Sequence, residues 1–241
     1  MNLLEASLPK VTSYIERQNW RYVPVMRGRK AKAFPLAQGE YHLNYRVEAE
    51  SGPVVLRVNI GTQIGREDQI EYEYKALELL SPSGVTPLPH FVDNSKKLIP
   101  HGILIMEYLP GEPLDYQEDL PAAAELFSKV HQVRVPDEMN HLIREDAPLS
   151  IIYEECRSLI TRYLESGLAD PRIADYLKML LVWADIARQK ERWFLEDPMP
   201  CIINTEVNSG NFISNRKTKT LHLVDWEMPR WGDPSQDIAH F

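Results

Sequence analysis

Three polar side chains near the carboxyl end of the chain have the types and the spacing that phosphoryl transfer requires. Glu206 and Asn211 lie in a polar stretch, CIINTEVNSGNFISN, and Asp225 ends an apolar run, LHLVD. A carboxylate that orients a hydroxyl, with an amide and a second carboxylate on metal ions, positions the reacting groups in such a reaction. The sequence therefore predicts Glu206, Asn211 and Asp225 as catalytic residues, with Asn211 and Asp225 as the metal ligands.

Strands predominate in residues 34–107, the segment that must position the phosphates. LNYRVEAESGPVVLRVNI consists of two apolar or alternating runs joined by Ser51, Gly52 and Pro53, which favour a turn, so it predicts a β-hairpin. The period then changes to that of a helix over residues 67–80. HFVD and GILIMEYL follow as predicted strands, and the unbroken apolar run of the second is typical of a strand buried on both faces.

Helical patterns follow beyond residue 111. One helix is predicted after Asp119, which has a residue type that caps helices, and two more over residues 149–164 and 174–194. Strands first and helices later favour an α+β fold with two lobes over a wound parallel sheet. We expect an N-lobe of residues 1–107, with an N-terminal helix, an antiparallel sheet and one further helix, and a mainly helical C-lobe of residues 108–241.

Composition narrows the class of partners. The 241 residues carry 35 acidic and 27 basic side chains, a formal charge of minus 8, so no global field attracts nucleic acid or an anionic membrane. The basic run at residues 27–32, RGRKAK, is interpreted as a solvated loop. Two cysteines without metal-ligand spacing, and no apolar run near the roughly 20 residues of a membrane span, indicate a cytoplasmic protein.

Arg57, in the strand VVLRVN, is the candidate cation for the phosphates. Arg is not interchangeable with Lys, but its planar fork binds phosphate well, and a plain strand-edge Arg is the alternative. Glu73 is the expected partner of Arg57, and Glu71 stays open because it lies only two residues earlier. Gly39 is either part of a phosphate-covering loop or an ordinary hairpin turn.

Two motifs carry a resemblance to a known family. NTEVNSGN overlays without a gap on a His-Gly-Asp-Leu-His-x-Gly-Asn catalytic loop, and VDWE resembles an Ile-Asp-Trp-Glu metal-binding strand. The later segment GDPSQD, which ends at Asp237, is similar to the Gly-Asp-Pro-x-x-Asp segment that supports that loop. Over residues 34–241 the chain resembles the aminoglycoside phosphotransferase and choline kinase group, small-molecule kinases with a protein-kinase-like fold.

The resemblance implies ATP and Mg²⁺ as cofactors and a hydroxyl of a small molecule as acceptor. It implies that LAQGEYHLNYRV, with Gly39, covers ATP, and that Arg57 and Glu73 are the phosphate-binding pair. AAAELFSKVHQV looks like the helix that follows the hinge, and its His131 is expected to be a satisfied core histidine. The residues expected to form the hinge against the adenine are Met106, Glu107, Tyr108 and Leu109.

The catalytic loop departs from the family pattern at two positions. Asn204 stands where the family has its first His, and Glu206 stands where it has the catalytic Asp. Glu reaches about 1 Å further than Asp, and misplacement on that scale can cost orders of magnitude in rate. Two hypotheses stay open: a phosphotransferase whose backbone compensates, and a catalytically impaired pseudokinase or nucleotide-binding module.

The carboxyl end also differs from the pattern that the resemblance implies. Family members continue for several helices beyond the Asp-Ile-Ala segment, and those helices build much of the acceptor site, whereas this chain ends at Phe241. A second subunit is one way to close the site, so a homodimer is one expectation. An aminoglycoside, choline, a sugar, homoserine and a protein-linked fructosamine all fit such a scaffold.

Overall fold

The computed structural model describes residues 2–28, 31–196 and 199–241. The predicted solvated loop at residues 27–32 therefore lies partly outside the described residues. The helices are α1 (Leu3–Arg17), α2 (Gln69–Leu80), α3 (Leu120–His131), α4 (Pro148–Glu165), α5 (Pro171–Arg188), α6 (Arg192–Glu196) and α7 (Ser235–His240). The strands are β1 (Lys32–Gln38), β2 (His42–Ala49), β3 (Gly52–Asn59), β4 (Pro89–Asp93), β5 (Gly102–Glu107), β6 (Ile143–Arg144), β7 (Cys201–Ile203), β8 (Phe212–Asn215), β9 (Thr220–Leu223) and β10 (Arg230–Gly232).

An antiparallel sheet of five strands, in the order β1-β2-β3-β5-β4, forms the amino-terminal half. The predicted hairpin is β2 and β3, and Ala49 pairs with Gly52 across a two-residue turn. Gly52 has a φ of +117°, a conformation that glycine adopts at little cost and other residues rarely do. The hairpin places Arg57 opposite Asn44 in the middle of the sheet.

Each face of this sheet is covered by one helix, because alternate residues of a strand point to opposite faces. Val54, Leu56 and Val58 of β3 pack in a buried cluster with α1. Val55, between them, packs in a second cluster with α2. Arg57 has the same parity as Val55, so its side chain is directed to the α2 face of the sheet.

A close backbone approach joins the sheet to the carboxyl-terminal half. Glu112 and Ser214 of β8 exchange two backbone hydrogen bonds of 3.0 and 2.7 Å. A Cβ atom at Gly111 would lie 2.6 Å from the carbonyl oxygen of Ser214. Because such an approach excludes any side chain, the connection requires glycine at residue 111.

The second cluster is continuous from α2 into the carboxyl-terminal half. It includes Phe127 of α3, Phe212 of β8 and the fully buried Trp226. Two small sheets complete this half, one of β6, β10 and β7 and one of β8 and β9. No helix among the described residues has the length and the apolar character needed to cross a membrane.

Two details of the helix predictions are wrong. The helix predicted over residues 174–194 is interrupted, because α5 ends at Arg188 and a 3-10 turn leads into α6. The turn brings the carboxylate of Glu191 to the backbone nitrogen of Ser150, 2.8 Å away at the start of α4. Asp119 precedes α3 but makes no capping bond, because its carboxylate accepts from Asp115 and Arg216 instead.

Helices α4 and α5 form a hairpin with large exposed apolar side chains. On α5, Val182 is 64% exposed and Trp183 is 68% exposed. The expectation of a homodimer stays a prediction, since nothing in the structure identifies what would cover these side chains.

Tyr72→Phe tests the connection between α2 and the carboxyl-terminal half. The buried hydroxyl accepts from the backbone nitrogen of Ile143 at 3.1 Å and donates to the carbonyl of Pro229 at 2.5 Å. Its loss leaves both groups without this partner, so we expect a cost of about 1–3 kcal/mol in the free energy of unfolding. Urea unfolding measures it, with the exposed Tyr176→Phe as control. Equal stabilities of the two variants would contradict this connection.

Candidate active site

A cavity of 420 Å³ lies between the sheet and the segments that precede β8 and follow β9. Its volume is in the range typical of small-molecule sites. The site residues predicted from the sequence that line it are Gly39, Arg57, Met106, Glu107, Tyr108, Leu109, Asn211 and Asp225. Glu73 and Glu206 do not line it. The Glu73 carboxylate bonds to the lining residue Arg57, and the backbone carbonyl of Glu206 accepts from the lining residue Asn211.

Arg57 connects three parts of the fold at the inner end of the cavity. Its Nη1 donates to Glu73 Oε1 at 2.7 Å and to Asp225 Oδ1 at 2.9 Å, and its Nε donates to Asn44 Oδ1 at 3.1 Å. The side chain is only 4% exposed. Glu73 is therefore the helical partner of Arg57, and the alternative, Glu71, is not.

The titration of this cluster follows from one guanidinium shared between two carboxylates. Burial lowers the pKa of Arg57, but attraction by Glu73 and Asp225 outweighs burial and raises it. Burial raises the pKa of Asp225, and the attraction of Arg57 and then His42 reverses this, so the net pKa is lowered. Glu73 is the deepest of the three, and burial raises its pKa to about 7 despite Arg57. Glu73 is thus the carboxyl that takes up a proton first.

Asp225 has a constrained backbone. Its φ is +63°, in the left-handed region that costs a non-glycine residue about 1–3 kcal/mol. The side-chain nitrogen of Asn204 donates to the Asp225 carbonyl at 3.0 Å. The backbone nitrogen of Val224 donates to the carbonyl of Asn211 at 2.8 Å. These bonds hold the metal-binding candidates Asn211 and Asp225 on adjacent segments.

Asp237 of α7 binds the start of the loop of residues 204–211. Its fully buried carboxylate accepts from the backbone nitrogens of Asn204 and Thr205, at 3.0 Å each. It also lies 3.0 Å from His131 Nε2, so His131 is a satisfied core histidine, as predicted. Thr205 has a φ of +72° and depends on this support.

Asn204 organises the loop at the position where the resemblance expects His. While its nitrogen bonds to Asp225, its Oδ1 accepts from the backbone nitrogen of Glu206 at 3.1 Å. The Asn211 side chain donates to the Glu206 carbonyl at 2.7 Å. Since this bond occupies the Asn211 nitrogen, the side-chain oxygen is the atom that remains to bind a cation.

Glu206 contacts a residue that the sequence did not indicate. Gln63, in the loop between β3 and α2, donates from Nε2 to Glu206 Oε1 at 3.1 Å. The two residues are 143 positions apart, and a single Gln in a polar loop carries no motif. No pattern in the sequence predicts this contact.

His42 and Glu227 were also missed. His42 Nδ1 lies 3.4 Å from Glu227 Oε2, which also accepts from Gln69 Nε2 at 3.2 Å. A Cβ atom at Gly39 would lie 2.7 Å from the ring of His42, so Gly39 leaves room for that ring. The motif VDWE was the available signal for Glu227, because the family pattern that it resembles also places a Glu two residues after the metal-binding Asp.

The fold is that of the two-lobed, kinase-like class of α+β proteins. It combines a five-stranded antiparallel sheet, a buried Arg-Glu pair, and a cleft between the sheet and a mainly helical half. The predicted fold class is confirmed by solved structures of kinases that share it. The model of the phosphotransferase enzyme family (APH) matches residues 33–241, and the chain belongs to this family. The predicted family resemblance is therefore confirmed.

Three solved structures illustrate the shared fold. An ethanolamine kinase of Plasmodium vivax has a TM-score of 0.62 at 14% identity, covering 98% of this chain and 66% of its own. An aminoglycoside phosphotransferase from Streptomyces rimosus has a TM-score of 0.60 at 15% identity, covering 100% of this chain and 83% of its own. A spectinomycin phosphotransferase in complex with ADP and spectinomycin has a TM-score of 0.54 at 12% identity. The match covers 86% of this chain and 66% of the spectinomycin phosphotransferase.

The chain thus spans just under two thirds of the ethanolamine kinase and of the spectinomycin phosphotransferase. At these identities the likeness shows the fold and does not transfer a substrate. No curated protein sequence matches the chain.

Glu73→Gln tests the charge distribution around Arg57. The folded pKa of Glu73, about 7, exceeds the ordinary 4.5, so the folded protein keeps a proton that the unfolded chain releases. The free energy of unfolding of the wild type should therefore fall relative to the variant as the pH rises from about 4.5 to about 7, and then level off. Urea unfolding at several pH values measures this difference.

Glu71→Gln is the matched control, because it removes the same charge from the same helix without involving Arg57. Its stability difference from the wild type should lack the decline expected for Glu73→Gln. A wild type that gains stability over Glu73→Gln across this pH range would contradict the assignment.

Proposed function

We propose that the protein is an ATP- and Mg²⁺-dependent phosphotransferase that transfers the γ-phosphate to a hydroxyl of a small molecule. The observation that carries this proposal is a single cavity lined by Arg57, Asn211 and Asp225, which adjoin one another, and by residues 106–109, which continue from β5. A cation, an amide oxygen and a carboxylate close together are what bound phosphates need. Glu206, in the segment between β7 and β8, would supply the group for the acceptor hydroxyl.

The adenine would lie against residues 106–109. The lining of the cavity includes the apolar side chains Leu36, Val55, Met106, Ile213 and Val224, and Val55 pairs with Met106 across the sheet. The backbone nitrogen of Glu107 already donates to Leu88, 2.8 Å away. Hydrogen bonds to the base would therefore come from the other backbone groups of this segment.

Asn211 and Asp225 fit Mg²⁺. Mg²⁺ prefers oxygen ligands and binds through one or two carboxylates together with the phosphates of the substrate. Asp225 supplies the carboxylate, and Asn211 supplies an amide oxygen whose orientation is fixed by its bond to Glu206. Bound there, Mg²⁺ would neutralise charge on the phosphates.

Arg57 and Glu73 would act as a unit on the phosphates. Glu73 fixes the guanidinium from the α2 side, and Asn44 fixes Nε within the sheet. The remaining guanidinium nitrogen is available for a phosphate oxygen, and Arg stays charged at any physiological pH. The bond from Arg57 to Asp225 places cation and metal ligand side by side.

Glu206 would accept or position the proton of the acceptor hydroxyl. Its carboxylate is partly exposed, and Gln63 holds one of its oxygens. That contact gives the Glu206 side chain a defined position. Without it, the longer side chain of Glu would hold its carboxylate less precisely than Asp does. The acceptors named for the similar structures, spectinomycin and ethanolamine, both carry hydroxyl groups and support a small hydroxyl-bearing acceptor here.

Nucleotide binding is tested by thermal unfolding with ATP and Mg²⁺. At ATP about 100 times above its dissociation constant, binding stabilises the folded state by about 2.7 kcal/mol, which raises the Tm by roughly 5 °C or more. Asp225→Asn should lose most of this shift. Asp175→Asn, whose side chain is 83% exposed, is the matched control and should keep it. Absence of any shift in the wild type rejects the proposal at its first step.

Turnover is tested at Glu206. Glu206→Gln keeps the length of the side chain but removes the base, so kcat should fall about 10²- to 10⁴-fold while the KM for ATP changes little. ADP release with a panel of alcohols measures both, and the exposed Glu155→Gln is the control.

Glu206→Asp separates the two hypotheses for this site. In an active phosphotransferase that uses Glu206 together with Gln63, the shorter side chain should lower kcat. ATP binding without turnover, unchanged by Glu206→Asp, would instead support the nucleotide-binding module, which the replacements at residues 204 and 206 favour.

A further inference from the structure

His42 is an unusual residue for the hairpin that faces the cavity. It is the first residue of β2, only 6% exposed, and its ring fits against Gly39, where a side chain would collide with it. Its Nδ1 points to Glu227, 185 residues away in sequence. This buried imidazole therefore has a carboxylate as its partner, and the proposed phosphate chemistry gives it no role.

Glu227 is a buried carboxylate whose ion pairs include no Lys or Arg among the described residues. It is 5% exposed, and its carboxylate contacts the side-chain amide of Gln69 and the ring of His42. Among the described residues, no Lys or Arg forms a salt bridge with it. A bound cation would therefore stabilise the ionised form of Glu227 in this buried position.

The surrounding cluster has an excess of acidic groups. Glu73, Asp225 and Glu227 are three carboxyls around the single guanidinium of Arg57, which is attracted by all three. Arg57 bonds to the first two and leaves the third to His42. The excess is therefore concentrated on the side of the cluster where His42, Asp225 and Glu227 meet.

These three side chains have the geometry of a metal site. One ligand atom from each lies within 4.8 Å of the other two. The 3.4 Å between His42 Nδ1 and Glu227 Oε2 is close to the separation of two ligands on a tetrahedral ion at about 2.0–2.1 Å. Small movements of the side chains would bring all three atoms to one ion.

We propose that His42, Asp225 and Glu227 form a second cation site, which binds a divalent transition-metal ion such as Mn²⁺ or Zn²⁺. An imidazole nitrogen favours transition-metal ions such as Zn²⁺, and the two carboxylates also suit Mn²⁺, whereas Mg²⁺ prefers oxygen ligands alone. The site shares Asp225 with the proposed Mg²⁺ position but needs neither nucleotide nor phosphoryl transfer. Its ion would connect the β1–β2 hairpin to the segment after β9 and hold that hairpin over the cavity.

Mn²⁺ binding without nucleotide tests the site. The full chain, without a histidine tag and stripped with a chelator, is titrated with Mn²⁺ and followed by electron paramagnetic resonance. We expect one tightly bound ion, and pulsed measurements should show coupling to a directly coordinated imidazole nitrogen. Absence of that coupling in the wild type overturns the proposal, whatever the variants do, and leaves an ion pair between His42 and Glu227 only.

His42→Ala should weaken Mn²⁺ binding about 10-fold or more and abolish the nitrogen coupling, since even loss of an indirect partner of a ligand costs 10- to 100-fold. Glu227→Gln should weaken binding similarly and keep the coupling. His101→Ala, a histidine outside the cluster, is the matched control and should bind as the wild type does. Equal affinity of His42→Ala and the wild type overturns the proposal.

The Mn²⁺ titration and the thermal shift with ATP test the two proposals independently. Nitrogen-coupled Mn²⁺ in a protein that does not respond to ATP and Mg²⁺ would reject the proposed function and keep this site. A normal ATP response without nitrogen-coupled Mn²⁺ would do the reverse.

Discussion

The rest of the structure depends on the hydrogen bonds that Arg57 makes with Asn44, Glu73 and Asp225. A buried guanidinium is expensive to desolvate, and the cost is offset only when its donors are well satisfied. Here β3 supplies the charge, α2 supplies Glu73 and the segment after β9 supplies Asp225, so both halves of the molecule must be in place before the charge is satisfied. Lys, with a single ammonium, could not reach Asn44 and both carboxylates in this planar arrangement.

A second, purely structural layer holds the chemistry in position. Asp237 accepts from the backbone nitrogens of Asn204 and Thr205, and the Asn204 side chain binds the backbone nitrogen of Glu206 and the carbonyl of Asp225. Thr205 and Asp225 both have positive φ angles, which persist only where the surroundings fix them. The buried carboxylate of Asp237 thus stabilises a strained loop without touching the cavity.

Local patterns predicted the larger elements of the amino-terminal half and the motif residues of the candidate site. The hairpin β2–β3 and the helix α2 follow from periodicity, which one segment carries by itself. The break after α5 does not, because it depends on a bond between Glu191 and Ser150, 41 residues apart. The contacts of His42 with Glu227 and of Gln63 with Glu206 join still more distant segments. The sequence therefore indicated side chains that belong to a motif, and it left out those that act only through a partner elsewhere in the fold.

The pairing of Glu112 with Ser214 limits how the two halves can move. Two backbone hydrogen bonds and a glycine with no room for a side chain fix the chain at the outer edge of the cleft. Translation of one half away from the other would break these bonds, whereas rotation about residues 111–112 would keep them. Opening of the cleft should therefore be a hinge rotation, with small displacements near residues 106–109 and the largest at the β1–β2 hairpin. The part of the cavity at residues 106–109 would stay nearly constant in shape, while the part beneath the β1–β2 hairpin opens and closes.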